Sequence, residues 1–159
     1  MHSFGTSPAD SLSQEHDAVR HLTELLKLEQ EHLQAADIDG IASLTETKAR
    51  ATTRMAELAS RRHKALAAAG CEASEDGMKS WLKASNASKT TSQSWQELIE
   101  LAKIAKEINR VNGTLINKQM MRNQNMLNIL QFGNAQGNNH VYGPNGQTSN
   151  KSAGRHIIV

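Results

Sequence analysis

The chain has 159 residues, a formal net charge of +2 and only 3% aromatic residues, which predicts one domain with an aliphatic core. The single Cys71 excludes an internal disulfide framework and a cysteine-based zinc site, and so small a net charge does not by itself indicate nucleic-acid binding. We expect a cytoplasmic protein, because the N-terminus lacks the basic and apolar regions of a signal peptide and no apolar stretch is long enough to span a membrane.

Long helices are predicted because no proline occurs between Pro8 and Pro144. In the first helix, apolar residues recur in steps of three, four and seven from Leu12 to Leu33, which keeps one face apolar. Ser11 or Asp10 is a suitable cap for its start. The segment 37–40, Asp-Ile-Asp-Gly, favours a turn and breaks or kinks the run.

A second apolar stripe runs in a strict heptad from Ile41 to Ala65. Two of its core positions are charged, Lys48 and Arg62, and their long stems can cover apolar surface while the charged groups reach water. Gly70 is predicted at the C-terminal cap of this helix.

A short helix is predicted from Ser74 to Leu82, with Trp81 packed on the bundle. A third long helix is predicted from about 92 to 132, followed by a segment too rich in Gly and Asn to fold alone. The predicted fold is therefore all-α, an elongated antiparallel bundle of three long helices plus a short one. Residues 1–132 would form the helical domain and residues 133–159 a flexible tail.

No motif indicates an enzyme, and we expect neither catalytic residues nor a cofactor. Phosphate-binding loops, nucleophile turns and HExxH helices are missing from the sequence. Glu29 and His32 have the spacing used by di-iron bundles, but no second such pair exists. We therefore interpret both as residues of a solvated face, predict no metal site, and place most of the seven histidines at the surface.

The basic cluster 61–64, Arg-Arg-His-Lys, could contact phosphate or simply complement the negative end of a helix dipole. An alternative function is a structural or regulatory bundle that acts by self-association or by nucleic-acid contact, and the cluster would make the nucleic-acid contact. We favour the interpretation as charges at a helix C-terminus, and we therefore expect no nucleic-acid partner.

Asn109, Asn112 and Gly113 lower the stability of the helix interior, because Asn is a mediocre helix former and Gly costs about 1 kcal/mol relative to Ala. Buried asparagines here, or at Asn123, could set the bundle register. Alternatively, the strip 109–130 is an open groove for a partner's helix. Both interpretations stay open for Asn109 and Asn112, whereas partner binding is favoured for 116–130. Flexible methionines suit surfaces that fit several partners, and three lie here: Met120, Met121 and Met126.

Taken together, these segments resemble the FlgN family of flagellar export chaperones over most of the chain. The resemblance is carried by residues 25–29 (LLKLE), 37–48 with Ile41, Leu44 and Lys48, 95–98 (WQEL), 108–116 (INRVNGTLI), 123–127 (NQNML) and 142–148 (YGPNGQT). The Asn-x-x-Asn-Gly helix followed by the Tyr-Gly-Pro-Asn-Gly tail is the most specific part. The family tail more often carries Asp where Asn145 stands.

The resemblance implies a cytoplasmic, all-helical chaperone for the hook–filament junction proteins, whose C-terminal amphipathic helices it holds before export. It also implies delivery to the export gate or ATPase components of the flagellar type III apparatus, without nucleic acid and without stable membrane insertion. In the predicted partner-binding site, five residues form a groove wall and Tyr142 is an adaptable anchor held in a turn by Gly143 and Gly146. The wall consists of Ile116, Asn123, Met126, Leu127 and Leu130. A register role is assigned to Asn109, Asn112 and Gly113.

Overall fold

The computed structural model describes residues 6–137, and it describes side-chain surroundings for residues 6–133. Within that range all regular secondary structure is helical, which confirms the predicted all-α class. The helices are α1 (Leu12–Gln34), α2 (Ile38–Ala68), α3 (Glu75–Ala84) and α4 (Lys89–Gly137). The chain divides into two structural units, residues 1–117 and residues 118–159, which we describe separately.

A three-residue turn, residues 35–37, joins α1 to α2. The break predicted at 37–40 overlaps it only at Asp37, because residues 38–40 form the first turn of α2. Ala36 adopts a left-handed conformation with φ of 53°, and Asp37 caps α2 by accepting a hydrogen bond from the Gly40 backbone N–H at 3.0 Å. The Asp37 carboxylate also lies 3.0 Å from His32 Nδ1. A side chain at Gly40 would overlap the His32 ring and the Asp37 carboxylate, so both side chains would have to move to accommodate it.

Cross-helix contacts give the directions of the three long helices within residues 1–117. Glu15 pairs with Arg62, whereas Glu29, farther along α1, pairs with the earlier Lys48, so α1 and α2 are antiparallel. His16 Nε2 lies 2.7 Å from the Ser94 carbonyl oxygen, and Asn112 Nδ2 donates to the Leu26 carbonyl. The later residue of α1 thus contacts the later residue of α4, so these two helices run parallel to each other.

The short helix α3 closes one end of this unit. Ser74 caps it by accepting a hydrogen bond from the Gly77 N–H at 3.0 Å, and a side chain at Gly77 would overlap the Glu72 carbonyl. Met78 is fully buried and Trp81 packs against the core, as the sequence predicted. The core cluster at this end is built from Leu12, Val19, Leu66, Met78, Trp95 and Leu98.

The last helix is longer than predicted at both ends. It begins at Lys89, where Ser88 Oγ accepts a hydrogen bond from the Thr91 N–H at 3.2 Å, rather than at about 92. It continues to Gly137, so residues 133–137 are helical and not tail. Gly and Asn are weak helix formers, but an existing helix gains one hydrogen bond for each added residue and no proline stops it here. The rest of the predicted tail lies outside the described residues, and the predicted domain boundary after residue 132 stays a prediction.

Candidate partner-binding site

Exposed apolar side chains are concentrated in the described part of the second unit, residues 118–133. Each is at least half exposed, and Phe132 reaches 74%. In residues 6–117, by contrast, the exposed large apolar side chains are three scattered ones, Leu28, Ile38 and Ile104. We call the exposed set in the second unit the α4 patch, and it consists of Met120, Met121, Met126, Leu127, Ile129, Leu130 and Phe132. A concentration of exposed apolar side chains of this kind marks an interaction site more often than scattered residues do.

The predicted wall residues of this unit occupy one side of α4. At about 100° per residue, Asn123, Met126, Leu127 and Leu130 fall within an arc of about 100°. All four are exposed, as a partner-binding role requires. Ile116, the fifth predicted wall residue, lies in the first unit and is half-buried.

A second apolar side of the same segment was not predicted, although the sequence had indicated Met121 as one of three methionines suited to partner binding. Met121, Ile129 and Phe132 point away from the predicted wall, roughly opposite to Leu127 by the same angular count. A helical projection of residues 118–133 would have revealed it, because the apolar residues there do not form a single stripe. A helix that is apolar on opposite sides is usually covered on both.

Asn112 is buried in the first unit, at 1% exposure, and contacts α1. Its Nδ2 donates to the Leu26 carbonyl and to Glu29 Oε1, both at 2.9 Å. Its Oδ1 is buried without a described hydrogen-bond partner. This arrangement supports the interpretation of Asn112 as a register-setting residue.

The neighbouring predicted register residues are placed differently. Asn109 is exposed, which corrects the idea that it hydrogen-bonds across the bundle core. A Cβ added at Gly113 would meet nothing within 4 Å, so no close packing requires glycine at that position. Tyr142, Gly143 and Gly146 lie outside the described residues.

Glu29 corrects a second expectation, because it is buried rather than part of a solvated face. Lys48 Nζ contacts both of its carboxylate oxygens, at 2.9 and 3.1 Å, and Asn112 donates to one of them. His32 faces Asp37 instead of sharing a ligand with Glu29. Among the described residues, no three His, Cys, Asp or Glu side chains come together as a possible metal site.

A second buried ion pair joins α1 and α2, and it also corrects the sequence interpretation. Arg62 does not extend its charge to water; its Nε lies 3.2 Å from the Glu15 carboxylate, and its guanidinium lies over the Trp95 ring at 4.7 Å. Ser11 donates to the same carboxylate at 3.1 Å. Within the basic cluster 61–64 only Arg61 and Lys64 are exposed, which weakens the case for a phosphate-binding patch.

His16 also departs from the expected surface position, since it is buried against Ser94 of α4. The spacing of the histidines contained no signal for this contact. A contact between residues 78 positions apart depends on how the helices pair, which local patterns do not encode.

Two exposed carboxyl groups have lowered pKa values. The backbone N–H of Gly40 lowers the pKa of Asp37 most, and the nearby His32 lowers it further. Hydrogen bonds from the Arg110 guanidinium lower the pKa of Glu107, one turn earlier on α4. Both shifts favour the charged carboxylate, at a helix start in the first case and in a surface ion pair in the second.

Comparison with known proteins identifies the family of the chain. The model of one protein family, described as FlgN protein, matches residues 3–150. A search of curated proteins and a search of solved structures found no match. None of the described helices has a window apolar enough to cross a membrane. Because the family match covers nearly the whole sequence, the chain belongs to the FlgN family of flagellar export chaperones.

Proposed function

We propose that this protein is a cytoplasmic chaperone for the hook–filament junction proteins of the flagellum. It binds their C-terminal amphipathic helices, prevents premature assembly, and delivers them to the export gate or ATPase components of the type III apparatus. The observation that carries the proposal is the α4 patch, seven large apolar side chains left exposed in residues 118–133. Family membership supports the export-chaperone role in general.

The patch has the chemistry needed for helix binding. An amphipathic helix that covers apolar surface gains about 25 cal/mol for each Å² removed from water. Three of the seven side chains are methionines, whose flexible thioethers adapt to partners of different shape. The two apolar sides of the segment imply that a client covers more than one side, for example with two helical segments or with a bent one.

Tyr142 remains a proposed anchor for the client or for the export gate. The sequence argument for it is that the tail contains few large apolar groups and that Gly143 and Gly146 permit a turn around it. Ordering the segment on binding would offset part of the contact energy. Affinity would then stay moderate, and the client could be released at the export gate.

Self-association is the second candidate, because the same α4 patch could pair with a copy of itself. Size-exclusion chromatography of the pure protein over a range of concentrations distinguishes self-association from client binding. A chain that is monomeric alone and forms a complex of defined stoichiometry with a client fragment supports the chaperone proposal. Nucleic-acid contact is less favoured, since the Arg62 side chain is held inside the bundle.

The binding test uses C-terminal fragments of the junction proteins and isothermal titration calorimetry. We compare the intact chain with a Leu127→Ser/Leu130→Ser variant, with a truncation after Phe132, and with a Gln124→Ser control, an exposed position of α4 between the two apolar sides. The double variant should weaken binding by at least about tenfold, because each buried leucine contributes roughly 1.5–3 kcal/mol. The truncation should weaken binding or delivery while leaving the helical circular dichroism nearly unchanged.

The control should bind like the intact chain. Unchanged affinity in the Leu127→Ser/Leu130→Ser variant would remove the α4 patch from the client site. Normal binding and normal export by the truncated chain would show that Tyr142 is not an anchor for the client or the export gate.

A further inference from the structure

Two cavities lie end to end along the seam between α2 and α4, within residues 1–117. The larger measures about 370 Å³ and the smaller about 240 Å³. They share two lining residues, Met55 of α2 and Ala102 of α4, and residues of α1 line both of them. Together they form one channel on the bundle surface, which we call the α2–α4 groove.

The walls of the groove have helical spacing. On α2 the lining residues run from Lys48 to His63, and on α4 they run from Trp95 to Asn109, intervals of fifteen and fourteen residues. At about 1.5 Å per residue the groove is about 21 Å long, the length of four helical turns. Small side chains leave room along it: Ala59, Ala102 and Ala105. These dimensions fit one amphipathic helix laid along the seam.

The two ends of the groove differ in charge. At one end, Lys106 is exposed and has no ion-pair partner among the described residues, while Lys48 is bound to Glu29. At the other end, Glu75 is exposed in the first turn of α3, also without a described ion-pair partner. A helix with acidic side chains near its C-terminus and a basic residue near its N-terminus complements both ends. Its dipole then also places the negative C-terminus near Lys106.

We propose that the α2–α4 groove is a docking site for an amphipathic helix of a partner protein, distinct from the α4 patch. The partner helix presents an apolar face of about four turns, an acidic residue to Lys106 and a basic residue toward Glu75. It lies parallel to α4. The occupant is identified by this pattern of apolar and charged residues, and the site is formed entirely by the first unit.

The test uses the full chain and a synthetic helix as the probe. The peptide is 16 residues long, with a Leu/Ala face, Lys in its first turn and Glu in its last. A peptide with the two charges exchanged and a scrambled peptide of equal composition are the controls. Affinity is measured by titration calorimetry at low salt, where the charge effect is strongest.

Protein variants locate the bound peptide. Ala102→Leu fills the point that both cavities share, and Ala56→Leu, on the exposed side of α2 and lining neither cavity, is its matched control. Lys106→Glu tests the charged end, with Lys103→Glu as the control outside the groove. Ala102 packs beside the core cluster, so Ala59→Leu and the exposed Lys106→Glu keep the test valid if Ala102→Leu fails to fold. The Leu127→Ser/Leu130→Ser variant tests whether the peptide binds the α4 patch instead of the groove.

We expect the first peptide to bind the intact chain, and the groove-filling variants to weaken its binding by at least about tenfold, because the added leucine occupies the space of the peptide's side chains. Lys106→Glu should weaken binding less, by about two- to fivefold, because an exposed ion pair contributes little. The charge-exchanged peptide should bind more weakly than the first. Three results would overturn the proposal: no binding of the first peptide, equal binding by folded groove variants and their controls, or a loss confined to the Leu127→Ser/Leu130→Ser variant. The last result would assign the peptide to the α4 patch.

Discussion

Two buried glutamates of α1 meet two basic side chains of α2 at matching positions along the hairpin. Glu15 and Glu29 are fourteen residues apart, and so are Lys48 and Arg62, which pair with them in antiparallel order. A slip of α2 by one turn would leave the buried charges without their partners, at a high cost in free energy. The pairs therefore favour this register over its neighbours, a specificity role that matters more than any net stabilisation they provide.

Removal of one partner from the Glu15–Arg62 pair should show directly how much an unpaired buried charge destabilises the protein. Both side chains are about nine-tenths buried, so Arg62→Ala leaves a buried carboxylate unpaired and should lower the free energy of unfolding by about 3–5 kcal/mol. The loss includes the contact with Trp95. Urea unfolding followed by circular dichroism measures it.

The free energy of unfolding should fall less in the double variant Arg62→Ala/Glu15→Ala than the sum of the losses in the two single variants, because no charge is then left buried alone. Arg61→Ala, exposed and adjacent, is the control and should change little. Additive losses would show that the two residues act independently and would contradict the pairing argument.

Asn112 carries the polar contact between α1 and α4. Asn112→Ala removes donors to the Leu26 carbonyl and to Glu29, and should destabilise the protein by about 1–3 kcal/mol even though Ala is the better helix former. The matched control is Asn109→Ala, an exposed position where we expect a change within about 0.5 kcal/mol. Thermal unfolding of the two variants decides the point. Equal midpoints would show that Asn112 has no special role in the first unit.

At the level of elements, the helices could largely be predicted from the sequence, and several of their ends only to within three to five residues. Heptad spacing and the lack of proline predicted the long helices, and the turn residues 37–40 marked the α1–α2 junction. Such signals are local, so they can be read without knowing how the helices pair. The end of α4 was misplaced, because weak helix formers delay but do not prevent propagation of an existing helix.

The partners of the polar residues could not be predicted in the same way. Asn109 and Asn112 occupy neighbouring stripe positions in the sequence, yet only Asn112 is buried. The side of α4 that faces α1 depends on the tertiary packing. For the same reason Glu29 and His16 were placed in solvent, although one is held by Lys48 and the other by Ser94. In the α4 patch the first apolar side was predicted and the second was not, because Ile129 and Phe132 lie off the heptad stripe that predicts the first side.

Gly113 allows a test of whether α4 keeps a weak point for function. Gly113→Ala should stabilise the protein by about 0.5–1 kcal/mol, because the added Cβ meets open space and Ala is the better helix former. Gly77→Ala is the contrasting variant and should destabilise it, since its Cβ would overlap the Glu72 carbonyl. Chemical unfolding measures both. A stabilised Gly113→Ala chain that binds clients normally would assign this glycine no functional role, whereas loss of stability would reveal an unrecognised packing constraint.

For the whole molecule, stability and the proposed client binding at the α4 patch are assigned to different parts of the chain. Apart from Pro8, every buried apolar residue among those described lies in residues 12–105, whereas the α4 patch lies beyond residue 117. The buried ion pairs, Asn112 and the core cluster all belong to the first unit. Substitutions in the α4 patch can therefore change what the protein binds without touching the residues that form the core.

A chain that ends at Asn117 should accordingly fold and unfold cooperatively, because it keeps every buried side chain named above. It should also lose most of the fluorescence of an apolar dye such as anilinonaphthalene sulfonate, since the dye would find its main exposed apolar surface on Met120 to Phe132 of the intact chain. Circular dichroism melting and dye titration on the two chains provide the comparison. Leu127→Ser/Leu130→Ser in the intact chain should give an intermediate dye signal. Undiminished dye binding by the chain that ends at Asn117 would place the principal apolar surface in the first unit, where the α2–α4 groove would be its source.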